Sequence, residues 1–119
     1  MGELAHIRKV LDEIKALEYV TGVSLISRGG LFILGDAPKG VHQETFAAMA
    51  AIMLGAAETS SAELKGNLNY VEINLNEKDV ILVTASSKFL LALFTDGKGE
   101  SKIIAKRAMQ IISGVEITI

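Results

Sequence analysis

Two glycine-bearing loops have spacings that could bind phosphate. Gly35 and Gly40 match the glycines of a phosphate-binding loop, but a valine and a histidine follow where lysine and serine or threonine would contact phosphate and magnesium. Gly97 and Gly99 begin a dinucleotide-binding pattern, yet its third glycine position is Lys102 and no parallel βαβ unit surrounds it. We therefore predict turns at both places and no bound cofactor.

Few side chains could transfer protons or bind a metal. His6 and His42 are the only histidines, cysteine is absent, and no two histidines are four residues apart, so we predict no metal site. Asp36, His42 and Glu44 could form an acid-base group with Ser27 as a nucleophile, but their spacing does not hold a base against a nucleophile. We expect a non-enzymatic protein with no catalytic residue.

The composition restricts the kinds of partner. The 119 residues suffice for one domain, and the net charge of -2 provides no basic field for nucleic acid or an anionic membrane. The N-terminal residues lack a basic-then-apolar signal segment, so we expect a cytoplasmic protein. Hydrophobic residues make up 50% of the chain and another 11 residues are glycine, an apolar surplus that self-association would cover.

The most apolar stretch, 46–57, predicts a helix that runs from about His42 to Ser60. Helical spacing gives it a bulky face with Phe46, Met49, Met53 and Leu54. The opposite face has small residues between two glutamates: Glu44, Ala47, Ala48, Ala51, Gly55 and Glu58. Small side chains let helix axes approach to roughly 8 Å, so we predict a symmetric dimer packed helix to helix. Exposed surface alanines are the alternative, and a membrane span would need about 20 apolar residues.

Periodicity predicts the other elements. An amphipathic helix from Gly2 ends near Thr21-Gly22, and strands 23–28 and 31–34 form a hairpin around Gly29-Gly30. The remaining elements are strands 68–75, 80–85 and 89–94 and a last helix that Gly114 stops. Short connections make both strand groups antiparallel, and the strands without alternation need helices on both faces. The predicted fold is α/β (α+β), helix-β-β-helix-β-β-β-helix, with an antiparallel-rich sheet of five strands.

This order resembles the Roadblock family of dynein light chains and bacterial or archaeal GTPase regulators. The local patterns that carry the resemblance are Gly22-Val23, 27–31 (Ser-Arg-Gly-Gly-Leu), the alanine-rich helix and 88–93 (Lys-Phe-Leu-Leu-Ala-Leu). The resemblance covers Leu4 to Ile112, so we expect one Roadblock-like domain over residues 1–119. The tail at 115–119 alternates like a strand, and its role stays open. The family implies a dimer in which the second helix and the edge strand pair with their symmetry mates, the strand through Tyr70, Glu72 and Asn74.

The resemblance also implies a function, because family members are scaffolds and regulators of small Ras-like GTPases, usually without catalysis of their own. We therefore expect a homodimer that binds a small GTPase, with no nucleic-acid partner and no direct membrane insertion. Basic residues could contact an acidic partner, although solvated charge is the commoner role. They are Arg28, Lys39, Lys98, Lys102 and Lys106.

A small-molecule sensor module, or a structural adaptor in a larger complex, is the alternative function. A sensor needs a pocket. Close packing of the alanine-rich helix against its mate would leave little room for one, although Met49 and Met53 could adapt around a ligand.

Overall fold

A computed structural model describes residues 2–37 and 39–118, which form three helices and five strands in the predicted order. Met1, Pro38 and Ile119 lie outside the described residues. The elements are α1 (Gly2–Lys15), β1 (Val20–Ser27), β2 (Phe32–Gly35), α2 (Gln43–Glu63), β3 (Val71–Asn74), β4 (Asp79–Thr84), β5 (Phe89–Thr95) and α3 (Ser101–Ser113). The predicted fold class and element order are confirmed.

The strands form one antiparallel sheet in the order β2-β1-β5-β4-β3. Short connections join β1 to β2, β3 to β4 and β4 to β5, whereas α2 carries the chain from one strand group to the other. The central strand is β5, whose Leu91 lies opposite Leu25 of β1 and Val83 of β4. The edge strands are therefore β2 and β3.

Side chains of β4 and β5 alternate between two apolar cores, one on each face of the sheet. Ile81 and Leu93 belong to the core that includes α1 and α3, whereas Leu82 and Ala92 belong to the core that includes α2. Because both faces are covered, these strands have no polar face, and the predicted helices on both sides are confirmed. On α1 the buried residues follow helical spacing: Ile7, Val10, Leu11 and Ile14.

Several predicted boundaries are wrong: β1 begins at Val20 and not at 23, and α2 continues to Glu63 instead of ending near Ser60. The first helix ends at Lys15 and not near Thr21-Gly22, because the chain turns at Tyr19, which has φ +74°, and Val20 already pairs with Thr95 in the sheet. β3 covers Val71–Asn74, four residues where eight were predicted at 68–75. The short β3 leaves the preceding segment free to pack beside α3.

The described part of the C-terminal tail, 115–118, does not form a strand. Val115 and Ile117 are half-buried and pack against the core of α1 and α3, whereas Glu116 and Thr118 are exposed. The alternation in this segment therefore reflects packing on one side only.

Candidate functional site

Ser27, Asp36 and His42, which have side chains with catalytic potential, each contact a different partner and not one another. The Ser27 hydroxyl accepts a backbone hydrogen bond at 3.0 Å within the β1–β2 turn. Asp36 pairs with Lys15 at 2.7 Å, and this hydrogen bond and charge raise the pKa of the lysine. His42 Nδ1 lies 2.7 Å from Thr45 Oγ1 at the start of α2. Within the described residues Ser27 forms no hydrogen bond with Asp36, His42 or Glu44, and the contact between His42 and the Thr45 hydroxyl is exposed to solvent at the helix start. The described residues contain no group of three potential metal ligands.

α2 rests on the sheet through a different face from the predicted one. Ala47, Ala50 and Leu54 are fully buried, so the prediction that Ala47 contacts a partner helix is wrong. Leu54 is seven residues, or two turns, from Ala47 and therefore shares its side of the helix. Relative to the prediction, the helix is rotated by about a quarter turn. Ala47 and Ala50 face inward, which lets the helix lie close to the strands.

The solvent-facing side of α2, here called the outer face, carries large apolar side chains. Met49 is 51% exposed and Ile52 is 63% exposed. The other outer-face positions are small or polar: Thr45, Ala48, Ala56 and Thr59. Although α2 has 21 residues, no helix among 2–37 and 39–118 is long and apolar enough to cross a membrane. Met49 and Ile52 are three residues apart and therefore neighbours on this face, which makes it a candidate interaction surface.

The remaining predicted interface residues of α2 lie around this outer face. Glu44 and Ala48 are exposed, whereas Ala51 and Gly55 are half-buried at its flank. A Cβ atom added at Gly55 would meet no other atom within 4 Å, so the space beside it is open. Ala48 is closer to the β1–β2 turn, because a Cβ at Gly30 would lie 3.2 Å from its Cα.

Arg28 and Glu58 bind each other within one chain. The Arg28 guanidinium donates to Glu58 Oε1, and the side chains are 24% and 35% exposed. The Thr84 hydroxyl donates to Glu58 Oε2 at 3.3 Å. These contacts tie α2 to the ends of β1 and β4. They give both charged residues a structural role within the chain, while the partner-surface role of Arg28 and the interface role of Glu58 stay predictions.

Replacing Glu58 with glutamine is expected to lower the free energy of unfolding by about 1 kcal/mol, because the half-buried Arg28 loses its charged acceptor. Urea unfolding followed by circular dichroism measures the change. Glu63→Gln is the matched control, since Glu63 is exposed near the end of the same helix and has no ion-pair partner in the described residues. Equal effects of the two substitutions would contradict the structural role of the ion pair.

β3 has an open edge on the side away from β4. No strand of the described chain pairs with this edge, so its outward amides and carbonyls can bond to another strand. Tyr70 precedes β3 and packs half-buried against the core of α1 and α3. Glu72 is exposed, and the Asn74 amide donates to Asp79 Oδ1 at 2.6 Å. The unpaired main-chain groups are therefore what this edge offers to another strand.

The five predicted basic contact residues occupy different environments. Arg28 is ion-paired, whereas Lys39 and Lys98 are exposed on the β2–α2 and β5–α3 loops. Lys102 and Lys106 are exposed one turn apart on α3. The structure thus brings these two lysines together.

Lys102 and Lys106 line a cavity of about 450 Å³ between α3 and the segment that leads into β3. Its apolar lining includes Tyr70, Ala105 and Met109. This cavity lies away from α2, where a pocket was considered, and it was not predicted from the sequence. The lining residues on α3 recur with helical spacing, and this pattern is visible in the sequence. The opposite wall comes from a segment more than thirty residues earlier, so the sequence does not show that the two walls meet.

Comparisons with known proteins agree with this fold. The family profile of the Roadblock/LC7 domain matches residues 6–95. MJ1340, an uncharacterized protein of Methanocaldococcus jannaschii, is 33% identical over 113 residues, which cover 92% of this chain and 98% of that protein.

Solved structures show the same architecture. The gliding protein MglB of Thermus thermophilus superimposes with a TM-score of 0.78 at 20% identity, covering 97% of this chain and 94% of MglB. A second MglB structure, which has a tetrameric arrangement, gives a TM-score of 0.77 at 20% identity and covers 96% and 93% of the two chains. At this identity the likeness establishes the fold.

Proposed function

This chain belongs to the Roadblock/LC7 family, and we propose that it is a non-enzymatic, cytoplasmic homodimer that acts as a scaffold or regulator of a small Ras-like GTPase. The observation that carries this proposal is the apolar outer face of α2 next to the open edge of β3. Together they form one surface that a second copy of the chain can cover.

The outer face and the β3 edge adjoin each other. Met53 of α2 and Val71 and Ile73 of β3 pack against the same core, and α2 contacts β3 directly. A twofold axis along this side would place each α2 against its mate and each β3 edge beside the other. The dimer would then bury Ile52 and Met49 and satisfy the unpaired main-chain groups of both strands. The tetrameric arrangement of one MglB protein supports self-association as a property of this fold.

As a regulator, the dimer would act by binding one conformation of the GTPase switch segments more tightly than the other. Its effect on the nucleotide state cannot exceed the ratio of these two affinities. Arg28 is bound to Glu58 in the chain itself. We therefore expect any acceleration of hydrolysis to come from ordering of the GTPase's own residues and not from an arginine that this protein lends.

Affinity capture in two nucleotide states tests the GTPase proposal. The tagged protein is incubated with lysate of its source organism, once with a non-hydrolysable GTP analogue and once with GDP, and bound proteins are identified by mass. We expect one Ras-like GTPase to be retained in one nucleotide state and to be released by excess untagged protein. Retention of no GTPase in either state would contradict the proposal and favour a structural adaptor or a sensor, for which the cavity at α3 provides a site.

A further inference from the structure

We propose that the cavity between α3 and the segment leading into β3 binds a small amphipathic anion, with its charged head at Lys102 and Lys106 and its apolar body inside the cavity. This site lies within a single chain. The proposal does not depend on the GTPase role.

The size and lining of the cavity suit the apolar body of such a ligand. Its volume of about 450 Å³ is within the range of about 300 to 1,000 Å³ typical of small-molecule sites. Ala105 is almost fully buried, and Tyr70 and Met109 are half-buried, so the inner surface continues the core of α1 and α3. The tyrosine ring provides a flat contact, and the flexible methionine can adjust to the shape of a ligand.

The charge at the mouth of the cavity selects an anion. Lys102 and Lys106 are four residues apart and therefore project on the same side of α3. Neither side chain forms a hydrogen bond or ion pair within the described ranges, in contrast to Lys15, which has Asp36 as its acceptor. Two like charges at this spacing repel each other, and a bound anion would relieve that repulsion. A cationic ligand with the same apolar body would increase it.

The test uses sodium decanoate as the probe, below its micelle concentration, with the full-length protein. Two-dimensional ¹H–¹⁵N NMR follows the backbone amides during titration. We expect saturable shifts in residues 69–70 and 102–113, and no such shifts with decyltrimethylammonium, which carries a chain of the same length on a cationic head. Equal shifts with both amphiphiles, or decanoate shifts confined to the outer face of α2, would overturn the proposal.

Variants separate the charge from the cavity. Lys102→Gln/Lys106→Gln is expected to weaken decanoate binding by about tenfold or more, because hydrogen bonds to the charged head are lost. Arg107→Gln, which removes the same charge outside this cavity, is the control and should change the affinity by less than about twofold. Ser113→Trp, at an exposed position in the cavity wall, should block the apolar body. Wild-type affinity in the double variant would contradict the proposal.

A titration with a peptide distinguishes a protein ligand from a small-molecule ligand. An acidic amphipathic helical peptide is titrated under the same conditions. If the peptide shifts residues 102–113 and decanoate does not, the cavity is a protein-docking site and the small-ligand proposal is wrong. If decanoate alone shifts these residues, the small-ligand proposal is supported.

Discussion

Replacing Gly35 with alanine is expected to destabilise the protein by about 3 kcal/mol or more. Gly35 ends β2 with φ +117°, a conformation that L side chains rarely adopt. A Cβ atom there would lie 2.2 Å from the Val23 carbonyl oxygen and 2.9 Å from Ser24 Cα. Both are main-chain atoms of β1, which is paired on both sides by β2 and β5, so they cannot move aside without breaking sheet hydrogen bonds.

Gly40→Ala separates the clash from the backbone strain. Gly40 has φ +87°, but a Cβ atom added there would meet nothing within 4 Å. We expect Gly40→Ala to lower the free energy of unfolding by only about 1 kcal/mol. Urea unfolding of both variants at one protein concentration measures the difference, since self-association makes apparent stability depend on concentration. Equal costs would show that the β1–β2 contact relaxes and that the clash has no effect.

Local periodicity was sufficient to predict the fold. The spacing of Ile7, Leu11 and Ile14 identifies α1 because one face of that helix is buried and the other is solvated. The uninterrupted apolar runs of β4 and β5 identify strands covered on both sides, and short connections between strands require antiparallel pairing. The need for glycine at position 35 could not be predicted from periodicity. It depends on where the neighbouring β1 backbone lies, which the pairing register decides.

The orientation of α2 could not be predicted in the same way. This helix is apolar or small for most of its length, so no polar side marks the direction of solvent. Contact with the sheet selects Ala47 and Ala50 for the inside, because small residues allow close approach, and leaves Ile52 outside. The partner of Glu58 is thirty residues away in the chain, beyond any local pattern. The cavity was missed for the same reason, since tertiary contacts create it.

Replacing Ile52 with arginine is expected to convert a dimer into a folded monomer. The wild-type protein should have about twice the chain mass of 12.7 kDa by light scattering. Ile52 is 63% exposed in one chain, so arginine should not disturb folding, but at a helix-to-helix interface it would bury a charge without a partner. That burial costs several kcal/mol, which raises the dimer dissociation constant by about a hundredfold or more. Light scattering over a dilution series measures the change, and circular dichroism checks that the fold is kept.

Ile103→Arg is the matched control, because Ile103 is 49% exposed on α3, on the other side of the sheet. The same substitution there should leave the mass of the dimer unchanged. If both variants dissociate, the loss of the dimer reflects added charge in general and not a specific contact of the outer face of α2. If Ile52→Arg stays dimeric, α2 does not form the interface, and the β3 edge or another surface must hold the two copies together. A wild-type monomer at high concentration would contradict the dimer itself.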